Sequence, residues 1–97
     1  MTPLIKGEAV IARQKYNLFD NEVEGTVGIY IKTDNVSGKH LIYFPEVGDW
    51  GELDQIERIS PGVVDSRNEE FVSRVQTLRY TADEKLKEEK EQEGQND

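Results

Sequence analysis

Residues 25–32 constrain this chain more than any other stretch. Val27, Ile29 and Ile31 alternate with Thr26, Gly28, Tyr30 and Lys32. A period of two puts the three aliphatic side chains on one buried face of a β-strand. Gly28 lies on the opposite face, where a glycine inside a strand marks a bend, a bulge or a close backbone approach. Residues 33–38 are polar and end on Gly38, which suits a turn. Residues 39–44 then return as a second strand. Leu41 and Tyr43 share one of its faces and Ile42 and Phe44 the other, so this strand is expected to be covered on both sides. Pro45 lacks the backbone N–H needed to continue it.

The flanks arrange themselves around this pair. Residues 7–13 read as a first strand, with Ala9 and Ile11 on one face and Val10 and Ala12 on the other. Residues 14–24 mix Asn17, Asp20 and Asn21 with Tyr16, Leu18, Phe19 and Val23. They read as a long loop folded over an open end of the sheet, with Leu18 and Phe19 as plugs. Residues 46–51 form a turn in which Gly48 and Gly51 flank Asp49 and Trp50. A short extended piece follows at residues 52–54. Leu53, Ile56 and Ile59 are three apart, the spacing of a 3₁₀ turn, and this turn runs into a last strand at about residues 57–60. Ser66 and Glu69 then have capping-box spacing, with Asn68 as a competing N-cap. Phe71, Val75, Leu78, Ala82 and Leu86 recur at steps of four, three, four and four, an apolar stripe on a helix over about residues 67–89. Val72 widens the stripe. The helix is expected to dock on the sheet by Phe71, Val75 and Leu78, or else to turn these residues toward another chain.

A chain of 97 residues is a single unit by length. Its expected organisation is a β domain over residues 1–62, a helix over 63–89 and a disordered acidic tail over 90–97. The tail follows from composition, because no apolar residue lies beyond Leu86 and such a segment cannot bury anything. The chain has no cysteine and a net charge of −8, of which −4 lies in residues 83–97. Neutralising phosphates requires clustered Lys and Arg, so this balance argues against generic nucleic-acid binding. No apolar run approaches the roughly 20 residues that span a bilayer. Residues 1–6 lack the apolar stretch of a secretory signal. The expectation is a cytoplasmic protein with no membrane contact.

The order of these signals resembles a five-stranded SH3-like barrel of the KOW style. The resemblance is carried by Gly7-Glu8-Ala9-Val10, by Glu24-Gly25-Thr26-Val27-Gly28-Ile29 after a long loop, by Leu41-Ile42-Tyr43-Phe44, and by Trp50-Gly51-Glu52-Leu53 leading to Ile56-Glu57-Arg58-Ile59. It implies a closed barrel over residues 6–60 followed by one amphipathic helix. The chain departs from signalling SH3 domains in lacking their acidic-aromatic loop and paired tryptophans. It departs from ribosomal KOW proteins in being acidic. In size and charge it resembles small accessory proteins of phages and prophages.

Candidate chemistry is sparse. His40 is the one histidine, and its place inside a strand makes it a partly exposed structural residue. Without cysteine, a nucleophile–base pair would need unusual groups. Glu22, Glu24, Asp49, Glu52 and Asp54 are read as solvated surface, and no metal or cofactor is expected. Gly25 to Gly28 is followed by neither a helix start nor a lysine at phosphate-loop spacing. Tyr16, Tyr30, Tyr43 and Trp50 combine apolar faces with polar tips, as interface anchors do. The expectation is a non-enzymatic protein-interaction module, monomeric or dimeric through its helix, acting on a host or phage protein. Two alternatives stay open: an acidic inhibitor that mimics nucleic acid, and a KOW-style nucleic-acid-binding barrel.

Overall fold

A computed structural model describes the backbone of residues 3–59 and 61–95, and side chains as far as residue 86. The strands are β1 (Ala9–Ala12), β2 (Asn17–Leu18), β3 (Asn21–Glu22), β4 (Val27–Thr33), β5 (His40–Phe44), β6 (Asp49–Leu53) and β7 (Ile56–Arg58), followed by the helix α1 (Ser66–Gln95). Five strands make an antiparallel sheet in the order β6-β5-β4-β1-β7, and β2 and β3 form a separate two-stranded arm. The protein is thus mainly β with one C-terminal helix. The expected barrel is not formed: β6 and β7 remain the two edges of an open sheet. Among the described residues, no helix is long and apolar enough to cross a membrane.

Both faces of the sheet are covered. On one face Val10, Ala12, Tyr30, Ile42, Phe44 and Leu53 form the main core with Val23, and Tyr16, Leu18 and Val47 pack around them. On the other face Ile29, Ile31 and Tyr43 meet Val72 of α1. The interior strand β5 therefore buries both its sides, as its sequence requires. Gly28 is a close approach, because a Cβ there would fall 2.3 Å from Ile42 Cγ2 and 3.0 Å from Phe44 Cε1. A bulge between Tyr30 and Lys32 shifts the β4–β5 register.

Several expectations are corrected. Val27 is not buried with Ile29 and Ile31 but is 50% exposed, because the helix covers only the far part of β4. The loop over residues 14–24 contains the β2–β3 arm. Its two-residue turn is Phe19-Asp20, both at positive φ (52° and 64°), a geometry that matches strand twist in tight hairpins. Phe19 is thus an exposed tip rather than a plug, while Leu18 does pack on the core. Trp50 lies within β6, not in a turn. Ile56 begins β7, so no 3₁₀ turn forms there. The helix is capped by Asp65 rather than Ser66: Asp65 Oδ1 accepts the Arg67 N–H at 2.9 Å, and its carbonyl accepts the Glu69 N–H at 3.0 Å. Asn68 is no cap; its side-chain amide donates to the Gly7 carbonyl at 3.4 Å. Helical backbone continues past the expected end at residue 89 to Gln95. Asn96 and Asp97, the last residues of the expected tail, lie outside the described residues.

Among the described residues one charge is fully buried. Glu8 receives Arg58 Nε and Nη2, each at 2.6 Å, and its Oε1 also accepts the Ile5 N–H at 3.3 Å. Arg58 Nη2 reaches the Pro3 carbonyl at 2.9 Å as well. This arrangement ties the N-terminal segment to β1 and β7. The Arg58 guanidinium holds the Glu8 carboxyl below its usual range, against the opposing effect of burial.

Candidate functional site

The antiparallel register of β5 and β6 places Tyr43 opposite Trp50. Their rings meet at 5.4 Å between centroids, tilted by 60°. Helix α1 runs over this pair because Val72 is buried and Val75 half-buried against the sheet. Phe71 sets its ring edge-on to Tyr43 at 5.8 Å. Two turns further on, Arg79 lays its guanidinium over Trp50, 4.9 Å from the ring centroid. The same guanidinium pairs with Asp49 Oδ1, which also accepts the Trp50 backbone N–H at 2.8 Å. Phe71, Tyr43, Trp50, Arg79 and Asp49 thus form one continuous stack along the seam between helix and sheet.

A groove opens on either side of Arg79. One, of about 410 Å³, runs past Tyr43, Trp50, Val75, Leu78 and Asp83. The other, of about 350 Å³, is bounded by Lys32, Leu41, Trp50, Tyr80 and Asp83. Apolar floor and charged rim are the usual anatomy of a protein contact. Leu78 and Tyr80 are 70% and 68% exposed beside these grooves.

The four aromatic residues singled out from sequence do not share one surface. Tyr43 and Trp50 lie on the helix-covered face. Tyr30 is buried in the opposite core, neither against the helix nor in solvent, and its hydroxyl bonds Thr33 Oγ1 at 2.7 Å. Thr33 in turn meets His40 Nδ1 at 2.8 Å, so the histidine is half-buried in an internal polar chain. Tyr16 packs on the same core, with its ring over Gly51, where a Cβ would come within 2.7 Å. Of the three helix residues expected to dock, Phe71 is 45% exposed at the margin, Val75 docks, and Leu78 does not.

Arg79 and Tyr80 were not expected at any site. Arg79 lies off the apolar stripe, and only the packing angle of the helix brings it over Trp50. Tyr80 lies on the flank away from that stripe and carries no sequence signal beyond its residue type. Among the described residues, no cluster of three or more His, Asp or Glu side chains is placed to hold a metal ion. Comparison with protein-family models, with curated proteins and with solved structures finds no match for this chain.

Proposed function

We propose that this chain is a non-enzymatic protein-interaction module whose contact surface is the seam between β6 and α1, centred on Trp50. The observation that carries the reading is the placement of Trp50. It is held from below by Tyr43, stacked by Arg79 and flanked by two grooves beside exposed Leu78 and Tyr80. Tryptophan, tyrosine and arginine are the residue types that dominate binding energy at protein contacts.

The test is affinity capture with wild-type protein and Trp50→Ala, each checked for native circular dichroism. The expected result is a protein partner retained by the wild type after nuclease treatment and lost by the variant. A partner held equally by a folded Trp50→Ala protein overturns the assignment of the surface. The second reading, an acidic mimic of nucleic acid, draws on the net charge of −8. Under that reading capture is insensitive to Trp50 and is abolished by moderate salt, since screening weakens exposed charge contacts.

A further inference from the structure

The apolar stripe of α1 outlasts the sheet that it docks on. Val72 and Val75 meet the sheet, but Leu78, Ala82 and Leu86 are exposed, and Phe71 is only partly covered. The stripe is also symmetric in its spacing. Phe71 and Val75 lie on one side of a point next to Leu78, at the same offsets as Leu86 and Ala82 on the other. An identical helix running the opposite way therefore sets Phe71 against Leu86, Val75 against Ala82, and Leu78 beside its own copy at the two-fold axis. Charge favours the same direction. Residues 66–82 carry three arginines against two glutamates, and residues 83–95 carry three lysines against six acids. Parallel pairing sets the two acid-rich ends side by side, whereas antiparallel pairing sets each against the arginine-bearing portion of the other copy.

We propose that the chain self-associates as an antiparallel dimer through Phe71, Val75, Leu78, Ala82 and Leu86 of α1. The interface is isologous, as closed dimers require. It takes Val75 and Leu78, with the groove that they line, into the helix pair and leaves the groove between Trp50 and Tyr80 open to a partner. It goes beyond the partner surface proposed above. Because Trp50→Ala tests one proposal and the crosslinks at residues 78 and 86 the other, each can fail without the other.

The absence of cysteine makes the test direct. Single-cysteine variants Leu78→Cys and Leu86→Cys are oxidised gently and resolved without reductant. In the antiparallel register the two copies of residue 78 lie side by side. The two copies of residue 86 are then about 22 Å apart along the axis, at about 1.5 Å rise per residue. The expected result is at least tenfold more covalent dimer with Leu78→Cys than with Leu86→Cys, unchanged when Trp50→Ala is added. Crosslinking of Leu86→Cys equal to or above that of Leu78→Cys, or of neither, overturns the proposal. Light scattering supplies an independent measure. Wild type is expected at twice 11.1 kDa, and Leu78→Glu, with its helical circular dichroism intact, at the single mass. A wild-type chain that stays at the single mass at high concentration also overturns it.

Discussion

The carboxylate of Glu8 and the guanidinium of Arg58 form a two-pronged ion pair across the β1–β7 edge, with both bonds at 2.6 Å and Glu8 sealed from solvent. The partners are 50 residues apart in the chain. The pair therefore joins the first strand to the last strand and holds the segment before β1 through Pro3 and Ile5.

Removing one partner of a buried pair leaves the other uncompensated, at a cost of about 3–5 kcal/mol. Glu8→Ala is expected near the lower end, about 3 kcal/mol, because Arg58 keeps some water access and its bond to the Pro3 carbonyl. Urea denaturation at neutral pH measures this, and a loss under about 1 kcal/mol would show the pair to be dispensable.

The same pair predicts acid sensitivity. Glu8 titrates below its usual value of 4.5 when folded. Its contribution to stability is therefore complete above that value and is lost as pH falls through the lowered one. Asp34, held low by the Val36 and Ser37 N–H groups, acts in the same direction. Thermal midpoints are expected to drop below pH 4.5 in wild type, and to drop less in Glu8→Gln, which lacks the Glu8 share and keeps that of Asp34.

Gly28→Ala forces a methyl into Ile42 and Phe44, both fully buried. Overpacking of this kind costs about 1–3 kcal/mol, and the upper end is expected because the neighbours belong to a strand covered on both faces. The denaturation midpoint checks it.

Val72→Ala removes the fully buried contact of α1. A loss of about 1–2 kcal/mol is expected from the methyl groups removed. The near-ultraviolet circular dichroism of Trp50 should weaken as the helix loosens, while far-ultraviolet helix content is kept. Gly7→Ala acts on the same docking, since its Cβ would lie 3.0 Å from the Glu69 backbone nitrogen at a φ of +98°.

Arg79→Ala strips the cation from the Trp50 ring. The Arg79 side chain is 47% exposed, so its ion pair with Asp49 is largely screened and the stability change should stay below about 1 kcal/mol. Trp50 is the only tryptophan, so its emission reports the site alone and should shift to the red as the ring meets water. An unchanged spectrum would place Arg79 elsewhere in solution.

Much of the sheet was legible because alternation is a local property. The two covered faces of β5 and the stop at Pro45 followed from neighbouring residues, whereas Gly28 read equally as a bend, a bulge or a close approach, and only the packing of Ile42 and Phe44 decides among them. What failed depended on distant ones. The period of β4 says that Val27 faces with Ile29, but not that the helix stops short of it. The stripe on α1 includes Leu78 without saying where the sheet ends beneath it. Gly48 and Gly51 read as a turn around Trp50, yet Gly51 is a buried strand residue kept small by the Tyr16 ring. Glu8 looked like one acid among twenty, since its partner is set by strand order and not by spacing. At the candidate site, Trp50 stood out by type, while Arg79 became visible only through the tertiary packing of the helix.

The projection of α1 beyond the sheet gives the molecule extents of 54 × 28 × 27 Å, about twice as long as it is wide. An elongated particle drags more solvent than a sphere of equal mass. A single copy should therefore leave a gel-filtration column early, at the volume of a heavier compact protein. Elution position and molecular mass are decoupled in this chain, and its translational friction reflects the reach of one helix as much as the number of copies.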